Sequence, residues 1–333
     1  MFKHWKIWFI VVVIISGVSM GIIYYLTVNP EDLHRLMEIP IYILILAVVA
    51  HILNLLFWSL RIKILSLSVG ERLSLYRCFK IVMVNLFVAA LTPSGMGGEP
   101  ARIYMLSEGN MSGGDATAVT IGERIIDFIF IGATIPIFLL FLGMSMDIGE
   151  IKYYLIFASI FLGSAGSALL YIVIRAEKVK VKLAKIEKIL ALFIKDENKR
   201  KETLEKIEEE FMAFVKSTKT LFALRKGYLA LTFIVTAAMW FVDFTIIPLI
   251  LIGLGENPNW LFMFTAQLII IVVTVIPISP GGSGLAEFTA YLLFSQRVPP
   301  GIAAITILLW RILTFYTNLV LGFVYTLSYI AKK

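Results

Sequence analysis

The sequence predicts an all-α polytopic membrane protein with about six full transmembrane helices plus two re-entrant hairpins in an inverted repeat. Three observations predict it. Residues of the set AVILMFWYC make up 59% of the 333-residue chain, where a soluble domain reaches roughly 45–50% with glycine already counted. Charged residues are only 16% and badly distributed: residues 175–226 hold 15 Lys/Arg and 9 Asp/Glu, so 24 of the chain's 53 charges fall in one segment. Two Gly- and Pro-rich breaks interrupt otherwise apolar stretches. This composition excludes intrinsic disorder, collagen and a disulfide scaffold, and argues strongly against a soluble enzyme.

The first apolar run, Ile7–Leu26, follows Lys3 and Lys6 as a signal peptide would. It is about 20 residues long with no small-residue cleavage site before Asn29-Pro30-Glu31-Asp32, so it reads as an uncleaved span. Full spans then follow at 39–60, 115–143, 151–174, 228–254 and 300–330. Loop charges orient them. Arg61, Lys63, Arg72, Arg77 and Lys80 stand against Glu71 in 61–80, and the insert 175–226 is net +6. Residues 29–39, 144–152 and 254–260 are slightly acidic. The positive-inside rule places both termini, 61–80 and 175–226 in the cytoplasm of a cell carrying the protein in its plasma membrane. The leftover stretches, 74–107 and 259–296, must each enter and leave on one side. The whole chain, 1–333, reads as one membrane domain, with repeats at about 39–145 and 228–331. In the insert, Leu204, Ile207, Phe211, Phe214, Thr218 and Leu221 recur at helical spacing, which predicts a helical hairpin against the bundle or headgroups.

The leftover stretches carry the strongest signal. An offset of 187 brings Pro93 onto Pro280, Gly95 onto Gly282, Gly97 onto Gly284, Tyr104 onto Tyr291 and Leu106 onto Leu293. The same offset brings Arg124 onto Arg311, while Glu99 and Glu287 miss register by one. Proline lacks an N–H and stops a helix, and glycine allows backbone closed to other residues. Such backbone survives at membrane depth only inside protein or beside a wet cavity. Pro93, Gly95, Gly97 and Gly98, and likewise Pro280, Gly281, Gly282 and Gly284, therefore read as two hairpin tips meeting near the midplane. Ordinary interhelical loops are the alternative. No flanking strand supports a nucleotide-binding reading of either glycine run.

Thr92-Pro93-Ser94-Gly95-Met96-Gly97-Gly98-Glu99, then Glu123-Arg124-Ile125-Ile126-Asp127, then Pro280-Gly281-Gly282-Ser283-Gly284-Leu285-Ala286-Glu287 resemble one family. It is the lysylphosphatidylglycerol synthase/flippase-like transmembrane family, the membrane part of MprF-type proteins. The resemblance covers about residues 5–330. In full-length bacterial members a soluble aminoacyl-transferase domain follows the membrane part. The resemblance here implies the lipid-translocating half without the lysyl-transfer half.

Ionisable residues inside spans are functional candidates, because each costs about 2.5–3.5 kcal/mol on insertion scales. Arg311 lies ~16 Å along its helix, near the centre of a ~30 Å core. Arg124 lies at a similar depth from the opposite face. With Arg102 they form a candidate lipid-phosphate site, since guanidinium stays charged and grips phosphate bidentately. Glu99, Glu123, Asp127, Asp243 and Glu287 are the candidate coupling or ion-pair carboxylates. The structural alternative pairs Arg124 with Glu123 or Asp127, Arg311 with Glu287, and Asp243 with His51 or Asn54. Trp5, Trp8, Trp58 and Trp260 read as interfacial anchors.

Cys78 is alone and His4, His34 and His51 are scattered, so neither a disulfide nor a metal site is expected, and no cofactor. The net charge of +7 reads as the positive-inside bias and attraction to anionic lipid rather than nucleic-acid binding. The expected function is transport of an anionic phospholipid or polyprenyl-phosphate-linked lipid between leaflets, without enzymatic activity. Membrane lipids are the expected partners, and a homo-oligomer stays open. The rival is a membrane-embedded transferase acting on a lipid-linked sugar or aminoacyl lipid, or its accessory subunit; the chain has no DxD motif or His cluster to support it.

Overall fold

The computed structural model describes residues 5–92, 95, 97–108, 111–145, 151–175, 197–274 and 279–331. They form helices and no strands. Helix α1 (Trp5–Thr27) leads to the short α2 (Pro30–Met37), with proline at its first position, and then to α3 (Ile41–Ser68). Helices α4 (Leu75–Ala90) and α5 (Gly98–Ser107) flank the first glycine break. Next come α6 (Gly113–Ser145), α7 (Ile151–Arg175) and α8 (Glu197–Lys219). A π-helical turn (Thr220–Leu224) joins α8 to α9 (Lys226–Gly253). Helices α10 (Trp260–Thr274) and α11 (Leu285–Phe294) flank the second break. The last span is α12 (Pro300–Arg311) and α13 (Thr317–Ile330), joined by a π-helical turn over Ile312–Tyr316.

Five of these segments, Ile10–Thr27, Ile41–Ser68, Gly113–Phe141, Lys226–Gly253 and Pro300–Ile330, are long and apolar enough to cross a membrane. The sixth expected span coincides with α7, several of whose side chains lie outside the described residues. Large apolar side chains such as Ile45, Ile160, Ile234 and Val320 point outward and stay exposed, as a lipid-facing surface requires.

Contacts along the chain sort the loops into two ends of the bundle. At one end Arg35 on α2 pairs with Glu256 after α9 at 2.8 Å. At the other, Arg225 reaches the Leu67 carbonyl at 3.4 Å, and α8 lies on the start of α6. Gly114 makes that last approach possible, because a Cβ there would collide with the Glu210 carbonyl and Phe214 amide. The inward face of α8 carries the expected stripe, with Thr218 buried on it and Leu221 buried in the π turn that follows. The first half of the expected hairpin, 176–196, lies outside the described residues.

The two broken segments enter from these opposite ends. The Arg77 guanidinium at the start of α4 bonds the Met105 and Glu108 carbonyls at the end of α5, so this hairpin returns to the end where it began. Arg297 after α11 lies over the Phe262 ring of α10, closing the second hairpin at the other end. The tips meet: the Gly281 N–H donates to the Thr92 carbonyl at 3.0 Å. Gly95, Gly281, Gly282 and Gly284 all have positive φ, between +57° and +85°. Gly97 and Gly98 do not need left-handed backbone. They need space, since a Cβ would stand 2.6 Å from Thr92 Cγ2 and 2.8 Å from Asn85 Oδ1 respectively.

Three expectations require correction. The span beginning at 39 does not end at Leu60: α3 runs on to Ser68, and Arg61 is inside it, 1% exposed, rather than in a loop. Trp58 is not an interfacial anchor, because its indole N–H donates to buried Glu123 at 3.1 Å. The span 300–330 is not one regular helix, since the π turn interrupts it just after Arg311. The side chains of Trp5 and Trp8, and all of Pro93, lie outside the described residues.

Candidate functional site

Helix α6 builds the core of the site. Glu123 and Asp127 stand one turn apart and share a face, which turns both carboxylates toward α3. Arg61 reaches across to both: Nε donates to Glu123 Oε1 at 2.8 Å and Nη1 to Asp127 Oδ1 at 2.6 Å. Arg102 from α5 takes the other Glu123 oxygen, and the Trp240 indole N–H donates to Asp127 at 3.1 Å. Two cations thus meet two anions, all at most 3% exposed. Charge balances, as a buried ionic cluster requires, while Arg102 Nε and Nη2 are buried without a hydrogen-bond partner among the described residues.

Arg124 follows Glu123 on α6 but points elsewhere. Its Nη2 pairs with Glu99 at 2.6 Å, its Nε with the same oxygen at 2.8 Å, and Nη1 is 3.8 Å from Asp127. The side chains of Arg124 and Glu99 remain 39% and 29% exposed. Glu99 is in the first turn of α5, directly after the first glycine break.

The second half repeats this arrangement. Arg311 pairs with Glu287 at 2.7 Å, and Glu287 is in the first turn of α11, directly after the second break. Glu287 Oε2 also accepts from the Gly284 amide at 2.6 Å, Ser16 of α1 donates to Oε1 at 2.9 Å, and Tyr316 donates to Ser16 at 2.8 Å. The Arg311 guanidinium lies 4.1 Å from the centroid of the Phe315 ring. Here the side chains are only 6% and 0% exposed.

Between the halves are two cavities of about 210 Å³ each. One is walled by Arg61, Arg124, Asp127, Asp243, His51 and Trp240, among others. The other lies against Gly95, Gly281, Gly282 and Phe315, and both touch Leu86 and Asn318. At roughly 30 Å³ per water, each volume holds a phosphate-sized group with a few waters. Of the residues expected at the site, Arg124, Asp127 and Asp243 line the first cavity, and Gly95, Gly281 and Gly282 the second. Arg102, Glu123, Glu99, Arg311 and Glu287 are among the lining residues of neither. Asp243 does not bond His51 or Asn54: His51 bonds Asn318 at 3.0 Å, and Asn54 donates to the Met239 carbonyl at 3.2 Å.

Sequence reasoning missed Arg61 and Trp58. The signal was available in Glu123-x-x-x-Asp127, two carboxylates on one face of a span, which demand a cation from another helix. Among the described residues no group of three or more His, Cys, Asp or Glu could hold a metal ion.

A helical bundle with apolar outer faces, a buried ionic core and two broken hairpins meeting inside it defines a polytopic α-helical membrane protein. A family model described as the lysylphosphatidylglycerol synthase TM region matches residues 8–322. The chain belongs to that family. It is 32% identical to a UPF0104 membrane protein of Archaeoglobus fulgidus, over 84% of each chain. A UPF0104 membrane protein of Methanocaldococcus jannaschii is 28% identical over 84% of this chain and 82% of its own. Another, from Methanothermobacter thermautotrophicus, is 26% identical over 93% of each.

Proposed function

We propose that this protein moves a phosphate-bearing lipid, an anionic phospholipid or a polyprenyl phosphate, between the leaflets of the cell membrane. The observation that carries the reading is Arg124, a half-exposed guanidinium on the wall of a cavity between two meeting glycine breaks. Arg61 and Arg102 are neutralised by Glu123 and Asp127, so the exchangeable charge is that of Arg124. A phosphate entering the cavity displaces Glu99 and takes the guanidinium bidentately. Glu99, carried on the short helix after the break, moves with α5.

The two broken segments are re-entrant hairpins of an inverted repeat, and parting their tips on alternate sides opens the cavity to one leaflet and then the other. The basic end of the bundle, with 61–80, the insert and both termini, faces the cytoplasm. Single cysteines at 35 and 147, in a background lacking Cys78, then react with an impermeant thiol reagent in intact cells, and one at 200 does not.

Leaflet exchange of labelled lipids in reconstituted vesicles tests the function, with mass spectrometry of the lipids afterwards. Faster exchange of a phosphate lipid that is recovered chemically unchanged supports transport. A newly formed lipid product would instead favour the transferase reading, and absence of exchange for every phosphate lipid tried would sink the proposal.

A further inference from the structure

We propose that His51 and Asp243 form a proton-binding site inside the bundle, and that proton occupancy there drives net lipid movement. The second half of this statement rests on the transport reading; the first does not. Helices α3 and α9 run antiparallel, with Asn54 beside Met239 and Ile43 beside Gly253. His51 is one turn from Asn54 and Asp243 one turn from Met239, both toward the same end, so they occupy one level of the facing helices. Both line the first cavity.

Each keeps polar capacity that the described residues leave unused. His51 is 5% exposed, its Nε2 is bonded to Asn318, and its Nδ1 is buried with no hydrogen-bond partner among the described residues. Asp243 makes no side-chain hydrogen bond or ion pair among the described residues. The cations facing it are already engaged: Arg61 from α3 with Glu123 and Asp127, and Arg124 from α6 with Glu99. Arg311 at the end of α12 is held by Glu287, and α10 carries no charged side chain. Asp243 is therefore an unpaired carboxyl group on the cavity wall, at the level of an imidazole nitrogen with nothing bound. One proton satisfies both, resting on Nδ1 as an imidazolium against the carboxylate or on the carboxyl group itself. The cavity admits the water that delivers and removes it. A proton taken up from one side and released to the other returns the site to its starting charge, so the cycle balances.

The chain has only three histidines, His4, His34 and His51, which makes ring-nitrogen NMR of the full protein in lipid nanodiscs readable. His51→Gln assigns the resonance. The proposal expects Asp243→Asn to move the His51 ring-nitrogen resonances and their dependence on pH between 5 and 8.5, leaving those of His34 in place. Identical His51 spectra in the two proteins overturn the proton site. In vesicles, a pH gradient of one unit should bias the leaflet distribution of a labelled phosphate lipid by up to about tenfold if one proton accompanies each lipid. Asp243→Asn should abolish the bias, read against each protein's own exchange without a gradient. Wild-type exchange that ignores the pH gradient, or follows a sodium gradient instead, overturns the coupling while leaving transport standing. No wild-type exchange at all sinks transport and coupling together, and the NMR result still decides the proton site.

Discussion

Arg124 and Arg311 lie 187 residues apart, and each pairs with the glutamate that follows a glycine break. Their surroundings differ sharply. The Arg311 pair is sealed by Ser16 and the Gly284 amide and capped by the Phe315 ring. The Arg124 pair opens into a cavity. One sequence pattern thus serves two physical ends. A sealed pair cannot exchange its partner without leaving two charges unsolvated, whereas an open pair has water, and a competing anion, within reach. Helix α1 contributes to the difference, because its Ser16 bonds Glu287 and closes the Arg311 site.

Substitutions can break or sharpen this contrast. The largest effect is expected at Arg61, where Arg61→Ala leaves Glu123 and Asp127 undercompensated in the core and should cost about 3–5 kcal/mol of unfolding free energy. Arg311→Ala should cost a similar amount, and adding Glu287→Ala should restore part of it, because no lone charge then remains. Denaturation in matched detergent measures both. If Arg311→Ala unfolds like wild type, the sealed pair has been misread. The glycine breaks come next. Gly284→Val forces a branched side chain to φ +85°, at about 1–3 kcal/mol. Gly97→Val instead pushes into Thr92 and should loosen the tip contact between Thr92 and Gly281. The smallest change is expected from Arg35→Ala, which removes a half-exposed end-of-bundle pair with Glu256 and should shift stability by about 0–1 kcal/mol.

Much of the architecture is legible in the amino-acid sequence. Apolar runs of spanning length located the long helices, and the Pro-Gly clusters located both breaks, because few other residues can interrupt a helix inside a bundle. Two contacts fall between segments that loop charge groups together: Arg35 meets Glu256, and Arg225 meets Leu67. The Arg311–Glu287 pair was among the alternatives read from spacing. Arg124 was expected with Glu123 or Asp127, and its main partner is Glu99. The one-residue slip between Glu99 and Glu287 hid their equivalence, which depends on where each short helix starts. Arg61 was illegible for another reason. Beside Lys63 it looks like a topogenic loop charge, and only the third dimension puts Glu123 and Asp127 across from it. Cavity walls are likewise a property of several helices at once: the sequence reading sets Asp243 near His51 or Asn54, but Asn318 on the same wall could not be seen.

The central claim is that Arg124 holds an exchangeable partner and Arg311 a fixed one. It is tested most directly by measuring leaflet exchange of a labelled phosphate lipid for Arg124→Ala, with its thermal unfolding recorded on the same preparation. The account predicts near-wild-type unfolding, within about 1 kcal/mol for so exposed a pair, together with loss of exchange, and only partial recovery in Arg124→Lys because a point charge lacks the bidentate geometry. A folded Arg124→Ala protein that exchanges lipid at the wild-type rate would contradict it.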